Sequence, residues 1–504
     1  MRLLRMAAGL LLALITVVNN AKLPDFSIEE VTDLTTQNYW YQQARKTLKK
    51  NLKFSKYDHR RAKNLIMFLG DGMGMSTITA SRIYKGQKAG LMGADAKLTF
   101  DEFPHTSLSK TYALDKQTSD SANTATAFLC GVKANYGTLG VNGKVLYENC
   151  KSSKDNYTNL QSILEWAQED GKSTGFVTST RVTHATPAGL YAHTASRNWE
   201  FESPDGDHEC PDIALQLVKY MPGKNIQVIL GGGRQAFFPN NESDVETKEK
   251  GKRTDRKYLI DEWLDDKKRI STRVHYVTNM TYLRSVKPEE TDYLLGLLGY
   301  DNMPYELDRS KEEKEPAIWE MTDKAIRILR KNPNGFFLLV EGGRIDHAHH
   351  DGMAKKALEE TVAMDKAIEL ALRLTDREDT LIVVTADHSH TMTISGYPKL
   401  GNNILGTSVS EEINVEYTVL SYANGPGYNT SRDNFENNIT LGNEYKQPAT
   451  FYLDSETHAG EDVPVFAIGP MAHLFQGVHD QSYIPHAMSF AACIGPSKDS
   501  AVTL

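Results

Sequence analysis

Two short segments carry carboxylates and imidazoles at a density that suits metal chemistry. They read Glu-Gly-Gly-Arg-Ile-Asp-His-Ala-His-His at 341–350 and Ala-Asp-His-Ser-His at 386–390. Each follows an apolar run, Gly335–Val340 and Thr380–Thr385, that is typical of a buried parallel strand. Ligands and metals bind at the carboxyl ends of strands in open α/β sheets. Two such clusters therefore predict a site for two or three divalent cations rather than a solvated polar edge.

Two further segments extend this pattern. Asp71 lies between glycines in Gly-Asp-Gly-Met-Gly at 70–74, directly after the apolar run 64–69. An acidic residue at this place interrupts the glycines that a dinucleotide cradle needs, so we interpret Asp71 as a metal ligand. Ser121 precedes small residues at helical spacing, which suits a serine at a helix N-terminus that favours an anion. Either Asp120 or Ser121 would also serve as a simple N-cap.

Length and composition describe an ordinary globular protein. At 504 residues the chain has room for one large α/β domain or two moderate ones. Its 40% hydrophobic and 24% charged content is typical of folded domains, and the formal net charge is −8. No long basic run occurs and no aromatic residues alternate with one, so the sequence predicts no nucleic-acid binding.

The chain begins with the plan of a secretory signal peptide. Basic residues at 1–5 precede an apolar run from Ala7 to Val18, which is short for a membrane span. We place the signal at 1–21, with an approximate cleavage point. The basic start disfavours the alternative, a buried N-terminal helix. Removing 1–20 takes away two arginines and no acids, so the mature formal charge is −10 (−8 − 2).

Glycosylation motifs agree with secretion. Five asparagines satisfy the N-x-Ser/Thr rule: Asn156, Asn241, Asn279, Asn429 and Asn438. The tail 496–504 carries no hydrophobic stretch of the kind that a lipid-anchor signal requires. We therefore expect a secreted, extracellular protein, anchored by lipid at the cell surface only if the chain is truncated.

Four cysteines are too few for a disulfide scaffold, and their spacing matches no zinc motif. Cys130 lies in an apolar helical context and is predicted to be a buried free thiol. Cys150 and Cys210 lie in polar loops and form the candidate disulfide. Cys493 is left without a partner.

Strand and helix signals alternate along the chain, which predicts a doubly wound, mostly parallel sheet flanked by helices. Strands are expected near 64–69, 174–178, 226–230, 335–340, 380–385 and 463–468, and helices near 120–130, 159–169, 212–220, 318–331 and 354–374. Residues 22–55 are predicted to form an N-terminal helical arm, and 56–495 one catalytic domain. The charged segment 240–315 resembles an insertion, and 397–457 a loop-rich subdomain between two core strands.

These segments, together with Glu-Thr-His-Ala-Gly-Glu-Asp at 456–462, resemble the alkaline phosphatases, specifically the animal type. The resemblance extends from about residue 35 to 495. It implies that Asp346, His350 and His458 hold a first zinc. A second zinc is implied at Asp71, Asp387 and His388, with Ser121 Oγ joining during the reaction. A magnesium ion is implied at Asp71, Thr186 and Glu341.

The resemblance also assigns roles around these ions. Arg197 is expected to clamp the phosphate, and His390 to lie just outside the first zinc. His184, counted among the metal ligands, and His347 stand where bacterial members carry Asp and Lys. Tyr397 is expected to reach the partner subunit of a homodimer, with 397–457 as the interfacial crown. Two features depart from relatives: Cys493 lacks a second disulfide partner, and Leu298-Gly299 replaces the Phe-Glu pair of the vertebrate calcium site.

The implied activity is hydrolysis of small-molecule phosphate monoesters through a phosphoserine at Ser121. Two zinc ions about 4 Å apart would activate the serine and stabilise the leaving oxygen. The planar fork of Arg197 favours a dianionic monoester over a diester. Deprotonated ligands and a hydroxide reactant predict an alkaline pH optimum.

Several alternatives stay open from the sequence. Arg197 would also suit a surface ion pair, Thr186 a plain turn, and His184 and His347 loops without metal contact. A phosphodiesterase of the same superfamily usually places threonine at the nucleophile and lacks the clamp arginine and the third metal. A sulfatase needs Cys-x-Pro-x-Arg, which Cys130-Gly-Val-Lys is not. A non-catalytic binding protein with this fold would be expected to have lost a ligand, and none is lost.

Overall fold

The computed structural model describes residues 37–53, 57–153, 156–203, 210–309, 314–429 and 435–498. The chain divides into one unit that ends at Lys56 and a second that begins at Tyr57. The described part of the first unit is helix α1 (Gln37–Lys53), which falls within the predicted arm. The predicted signal peptide lies outside the described residues, as does most of the predicted tail.

The second unit is built on a ten-stranded sheet. Its strands, in spatial order, are β17 (Gly477–Asp480), β2 (His105–Lys110), β16 (Val463–Ile468), β8 (Thr380–Ala386), β1 (Asn64–Gly70), β7 (Phe336–Gly342), β3 (Ser173–Arg181), β4 (Val228–Gly232), β6 (Tyr293–Leu297) and β5 (Val274–Val277). The seven strands from β8 to β5 are mutually parallel. Strand β16 runs antiparallel to both β8 and β2. The predicted α/β class with a mostly parallel sheet is confirmed.

Helices cover both faces of this sheet. They are α2 (Met75–Lys88), α3 (Ser121–Cys130), α4 (Ile163–Glu169), α5 (Ala185–Ala188), α6 (Ile213–Lys219), α7 (Leu259–Lys268), α8 (Met280–Ser285), α9 (Ile318–Leu329), α10 (Arg344–His350), α11 (Ala354–Leu374) and α12 (Tyr483–Ala492). Apolar residues of α9 and α11 pack on one face, and those of α3, α4, α6 and α12 on the other. None of the described helices combines the length and the apolar character that crossing a membrane requires.

Strand β1 shows why the sequence folds in this way. All seven of its residues are buried, as a near-continuous apolar run in a covered parallel sheet should be. Because successive side chains point to opposite faces, Leu65 and Met67 join one core cluster and Ile66 and Phe68 join the other. The strand therefore needs apolar side chains on both faces, and the sequence supplies them from Leu65 to Leu69.

Most predicted elements lie within a few residues of their expected positions, and α11 has the predicted bounds. Helix α4 begins at Ile163 rather than near residue 159, because the Ser162 hydroxyl accepts a hydrogen bond from the Glu165 amide and caps the helix there. Strands β2 and β17 were not predicted, since short, exposed, polar edge strands give a weak hydrophobic signal.

The prediction that 240–315 is an insertion outside the core was wrong in part. Its strands β5 and β6 complete one edge of the main sheet, and β6 pairs with β4. The charges that suggested an insertion lie in the connections and on α7, whereas Leu294, Leu295 and Leu297 are buried. Eight uncharged residues between Asp292 and Asp301 are too few to outweigh the composition of the whole segment.

Residues 397–457 lie in sequence between core strands β8 and β16. They contribute β13 (Leu420–Asn424) and β14 (Ala449–Phe451), which form a three-stranded sheet with β10 (Met392–Ile394). A hairpin of β11 (Thr407–Val409) and β12 (Glu416–Thr418) adds a second small sheet. We call this segment the crown. Two short strands flank it, β9 (Ser389–His390) and β15 (His458–Ala459), and pair antiparallel.

Candidate metal centre

The parallel strands bring the predicted ligands to one edge of the sheet. Asp71 directly follows β1, Asp387 and His388 follow β8, and Glu341 is the penultimate residue of β7. The register aligns Gly70 with Gly342 on one side and with Ala386 on the other, so the three strands end level. Residues that are far apart in the sequence therefore meet, as the strand-end pattern predicted.

Four side chains form what we call the imidazole cluster: Asp346, His350, His390 and His458. Their ligand atoms lie within 4.8 Å of one another. The Asp346 Oδ1 atom lies 2.7 Å from His390 Nε2, 3.2 Å from His458 Nε2 and 3.3 Å from His350 Nε2. Helix α10 supplies Asp346 and His350 at (i, i+4), and the β9–β15 pair places His390 opposite His458.

Backbone carbonyls orient two of these rings. His350 Nδ1 lies 2.5 Å from the Glu456 carbonyl oxygen, and His458 Nδ1 lies 2.8 Å from that of Ser119. A carbonyl only accepts, so each Nδ1 carries the proton and donates it. Each Nε2 is then left with its lone pair facing the cluster, which is the usual arrangement of a metal-binding histidine.

The second group, which we call the mixed cluster, contains Asp71, Asp387 and His388, all fully buried. His388 Nε2 lies 3.0 Å from Asp387 Oδ2 and 3.5 Å from Asp71 Oδ1. The Gly72 amide donates to Asp387 Oδ1 at 3.0 Å, and positive φ at Gly72 (68°) lets the chain turn there. A Cβ on Gly72 would lie 2.4 Å from a carbon of the His390 ring, so glycine is also required for space.

The third group, which we call the buried carboxylate cluster, contains Asp71, His184 and Glu341. Asp71 Oδ2, Glu341 Oε1 and His184 Nδ1 are buried and have no hydrogen-bond partner among the described residues. Thr178 and Thr180 donate to the other Glu341 oxygen, Oε2. Unpaired buried carboxylate oxygens are costly, so the two in this cluster suit a cationic partner.

Ser121 lies between these groups. Its hydroxyl oxygen is 3.4 Å from Asp71 Oδ1 and 3.2 Å from His388 Nε2. Of the two possible N-caps of α3, the structure selects Asp120, whose carboxylate accepts from the Ala122 and Asn123 amides. Capping is thus supplied by the neighbouring residue, and the Ser121 hydroxyl is directed to the mixed cluster.

Arg197 is held at the same site rather than on the surface. Its Nη1 donates to Asp120 Oδ2 at 3.0 Å and its Nη2 to His184 Nε2 at 3.1 Å. The Gly137 backbone fixes both sides of this pair, because its amide donates to Asp120 and its carbonyl accepts from the Arg197 amide. The contact of Asp120 with Arg197 and the support from Gly137 were missed by the sequence analysis.

Charges in the three clusters move pKa values in opposite directions. Burial, followed by the charges of Asp387 and Asp346, raises the pKa of Asp71 well above its usual value. Burial also raises the pKa of Glu341 to about 7, against the hydrogen bond that Thr178 donates. Burial would raise the pKa of Asp346 as well, but His350 and His390 outweigh it and hold that pKa well below the usual range. The buried carboxylate cluster therefore lacks compensating positive charge, whereas the imidazole cluster has it.

The histidines follow their surroundings. Burial and then the Arg197 charge hold the pKa of His184 well below its usual value. Burial lowers the pKa of His347 to about 3, and its Nδ1 accepts from Arg344 at 2.8 Å. Burial alone would lower the pKa of His390 as well. The carboxylates of Glu456 and Asp346 outweigh this effect and raise the pKa to about 10.

Other sequence predictions have separate outcomes. Cys150 and Cys210 are joined by a disulfide, with Cα atoms 6.0 Å apart, and Cys130 is a buried free thiol. Tyr397 is 99% exposed in the single chain. Leu298 is buried in the core.

One residue that the sequence analysis passed over is Glu456. Its carboxylate is fully buried and accepts from His390, from the Thr391 amide and from the Thr391 hydroxyl. The sequence does contain a signal that could have identified it, because Glu456 is a carboxylate two residues before the predicted ligand His458.

The donor sets fit the cations that the resemblance implies. Imidazoles with one carboxylate in the imidazole cluster, and one imidazole with two carboxylates in the mixed cluster, suit zinc. Glu341 and Asp71 oxygens with the Thr186 hydroxyl suit a harder ion such as magnesium. The unpaired Asp71 and Glu341 oxygens are the observation that supports a bound cation there.

Comparisons with known proteins define the class to which this fold and site belong. A family model described as alkaline phosphatase matches residues 62–494. The tissue-nonspecific alkaline phosphatase of Rattus norvegicus is 48% identical over 503 residues, covering 97% of this chain and 94% of that protein. The membrane-bound alkaline phosphatase of Bombyx mori is 45% identical over 453 residues, covering 88% and 82%.

A solved structure shows the same fold at greater distance. The alkaline phosphatase of Thermus thermophilus has a TM-score of 0.62 at 23% identity, covering 88% of this chain and 93% of that one. The chain belongs to the alkaline phosphatase family. It is accordingly an enzyme of the phosphatase hydrolases, as its close relatives are.

Proposed function

We propose that this enzyme hydrolyses phosphate monoesters through a phosphoserine at Ser121, with two zinc ions and one magnesium ion. The observation that carries the proposal is the place of the Ser121 hydroxyl, 3.2 Å from His388 and 3.4 Å from Asp71, directly after Asp120, which accepts from the guanidinium of Arg197. A nucleophile, an anion-binding fork and three clusters of metal-binding groups meet at one edge of the sheet.

The residues divide the chemistry among them. Asp346, His350 and His458 would hold one zinc, Asp71, Asp387 and His388 the other, and Asp71, Thr186, Glu341 and His184 the magnesium. When bound, these ions supply positive charge that favours the serine alkoxide and the departing oxygen and lowers the pKa of water. Arg197 orients two non-bridging phosphate oxygens, and Asp120 and His184 hold the plane of its guanidinium.

Two displacements complete the turnover. Ser121 Oγ forms a bond to phosphorus as the bond to the alcohol oxygen breaks, and the alcohol leaves. Water then cleaves the phosphoserine, which returns the serine hydroxyl and releases inorganic phosphate. No histidine serves as the base for Ser121, because the Nε2 atom of His388 is taken as a ligand.

The test is hydrolysis of p-nitrophenyl phosphate against bis(p-nitrophenyl) phosphate from about pH 7 to about pH 10, before and after chelation and zinc return. We expect a large preference for the monoester at alkaline pH, abolished by chelation and by Ser121→Ala. Ser81→Ala is the matched control, since Ser81 is a buried serine whose hydroxyl has no partner among the described residues. Preference for the diester would instead indicate a phosphodiesterase, and inactivity of the metal-loaded protein a binding function.

We further propose a secreted homodimer. The predicted signal peptide and the five sequons support secretion, and Asn241 is exposed as an acceptor should be. Asn279 is the least suitable acceptor among those described, because its side chain caps α8 and donates to Glu246. The membrane-bound Bombyx mori relative makes a surface-anchored form the alternative outcome of a fractionation experiment.

The crown supplies the proposed dimer surface. It exposes several large apolar side chains: Tyr397, Leu400, Val409, Ile413, Phe451 and Tyr452. Exposed apolar side chains concentrated in one segment support an interaction site there. Light scattering of the purified protein should give twice the chain mass, and Tyr397→Ala should shift the equilibrium towards the monomer.

A further inference from the structure

The sequence predicted one contact between the segment 456–458 and the imidazole cluster, through His458. In the structure Glu456 contacts the cluster as well. Three separate groups of Glu456 contact the surroundings of that cluster. Its amide donates to the His350 carbonyl at 2.9 Å, and its carbonyl accepts from His350 Nδ1 at 2.5 Å. Its carboxylate accepts from His390 Nδ1. One residue thus contacts two of the three imidazoles and precedes the third, His458, by two positions.

The carboxylate is also fixed from its other side. Glu456 Oε1 accepts from the Thr391 amide at 2.7 Å and from the Thr391 hydroxyl at 2.6 Å, and the side chain is fully buried. Thr391 follows His390 directly, so both carboxylate oxygens of Glu456 contact the same short stretch of chain. A buried carboxylate that accepts three hydrogen bonds is held in one orientation.

The effect on the cluster is directional. Because Glu456 accepts from Nδ1 of His350 and of His390, both Nε2 atoms point towards Asp346 Oδ1, at 3.3 and 2.7 Å. A group that accepts a hydrogen bond from the outer nitrogen of a metal-binding histidine fixes the tautomer and the ring plane of that histidine. Loss of such a group typically weakens metal binding by about 10- to 100-fold. Glu456 occupies this place for His350 through its carbonyl. Through its carboxylate it holds His390, whose Nε2 in turn contacts the proposed ligand Asp346.

The same segment is attached to the crown. The Asn424 side chain, at the end of β13, accepts from the Thr457 amide at 3.0 Å and donates to the Thr457 hydroxyl at 2.9 Å. Gly425 packs against Glu456 so closely that a Cβ there would lie 2.9 Å from the Glu456 Cβ. The position of Glu456 is therefore set by the crown as well as by the histidines.

We propose that Glu456 is a positioning residue that orients His350 directly and Asp346 through His390 for metal binding, and that connects the imidazole cluster to the crown. This role rests on the proposed function, because it concerns the metal-binding half of that site. Glu456 itself contacts neither the substrate nor the reacting atoms.

The experiment measures metal binding rather than activity. Zinc is titrated into metal-free protein in competition with a chromogenic chelator, for wild type, Glu456→Gln and Glu461→Gln. Glu456→Gln keeps the shape and one acceptor oxygen but replaces the oxygen that faces His390 with an amide that cannot accept. Glu461→Gln removes the same charge five residues away, from a carboxylate that accepts from the Ser389 hydroxyl instead of an imidazole.

We expect Glu456→Gln to weaken one zinc site by about 10- to 100-fold and to leave the other sites unchanged. Glu461→Gln should bind zinc like the wild type. Cobalt absorbance should show one altered ion in Glu456→Gln, because the ligand geometry of a single site changes. Thermal unfolding of the metal-free proteins separates this effect from misfolding, since the isosteric variant should unfold close to wild type in the absence of metal.

The two claims fail separately. Wild-type zinc affinity in Glu456→Gln, or equal weakening in both variants, would overturn the positioning role and leave the proposed function intact. A wild-type protein that binds zinc but hydrolyses no monoester would overturn the proposed function while the titration still reports on Glu456. A wild-type protein that binds no zinc would overturn both.

Discussion

The imidazole cluster and the buried carboxylate cluster share one edge of the sheet, yet they differ in how their charges are compensated. Around Asp346, three imidazoles supply hydrogen bonds or positive charge. Their effect outweighs that of burial, so the pKa of this carboxyl lies below its usual value. Around Asp71 and Glu341, burial raises both pKa values, and one oxygen of each remains unpaired. The first cluster is compensated by protein groups, whereas the second depends on a cation from outside the chain.

This difference follows from where the residues lie. His350 and His458 are 31% and 12% exposed at their side chains, on α10 and β15 beside the crown. Asp71, Glu341 and Asp387 are fully buried at the ends of the central strands. A carboxylate in that position has no solvent to compensate it, so cation binding and folding should be coupled there more strongly.

The largest expected effect tests the residue that belongs to two clusters. Asp71→Asn removes the carboxylate shared by the mixed and buried carboxylate clusters. Because a metal ion contributes several kcal/mol of transition-state stabilisation, kcat/KM for p-nitrophenyl phosphate should fall by about 10³-fold or more. Elemental analysis should show that fewer than three ions remain, with the imidazole cluster still filled.

The matched control for this change is Asp95→Asn, which removes the same charge from an exposed position. It should keep wild-type metal content and activity. Loss of the ion at the imidazole cluster in Asp71→Asn would contradict the separation of the clusters, because it would show that all ions bind as one unit.

Arg197→Lys should give the next largest effect. Lysine keeps the charge but cannot bridge Asp120, His184 and two phosphate oxygens with a planar fork. We expect kcat/KM for the monoester to fall by about 10- to 100-fold and inhibition by inorganic phosphate to weaken in parallel. Diester hydrolysis should change much less, so the monoester-to-diester ratio falls. Arg373→Lys, at an exposed pair with Glu369, is the control; an equal loss for both substrates would refute the clamp.

The third prediction concerns the stability of the metal-free protein with pH. The folded-state pKa of Glu341 is raised from 4.5 to about 7. Its protonated form therefore stabilises the fold at low pH, and that contribution disappears as pH rises through about 7. Glu341→Gln removes the titrating group. The stability of this variant relative to wild type should therefore be greater at pH 8 than at pH 5, by on the order of a few kcal/mol in free energy of unfolding, and its melting temperature should shift in the same direction.

The comparison requires chelated samples of both proteins, and the metal-loaded wild type serves as the control. Bound cation should keep Glu341 ionised and reduce the pH dependence. If the difference between the variant and the wild type is the same at both pH values, then Glu341 does not lie in the uncompensated environment that we describe.

The sequence predicted the two clusters unequally, for physical reasons. Asp71, Asp346, Asp387 and His388 each lie on or just after a strand or helix with a strong hydrophobic pattern, so their placement follows from the register of the sheet. Whether Asp120 or Ser121 caps α3 depends on one hydrogen bond, and the sequence left it open. The contacts of Glu456 depend on how the crown returns to the sheet, which no local pattern encodes.

Fold prediction shows the same limit. Buried central strands were found close to their observed bounds, since most of their residues are apolar. Strands β5 and β6 were hidden by the charged connections of 240–315, because composition averaged over a long segment hides short buried runs. Long-range pairing, not local propensity, determines that those strands join the sheet.

The smallest expected effect tests the link between the crown and the imidazole cluster. Asn424→Ala removes both side-chain hydrogen bonds to Thr457 but leaves every candidate ligand unchanged. Each such bond contributes about 1 kcal/mol, so zinc affinity at the imidazole cluster should fall by only a few-fold. The buried carboxylate cluster contacts no part of this link and should retain its affinity for magnesium. Asn402→Ala is the control, since its amide bonds stay within the crown. If Asn402→Ala weakened zinc binding equally, the crown would act through its overall stability rather than through the Asn424–Thr457 contact.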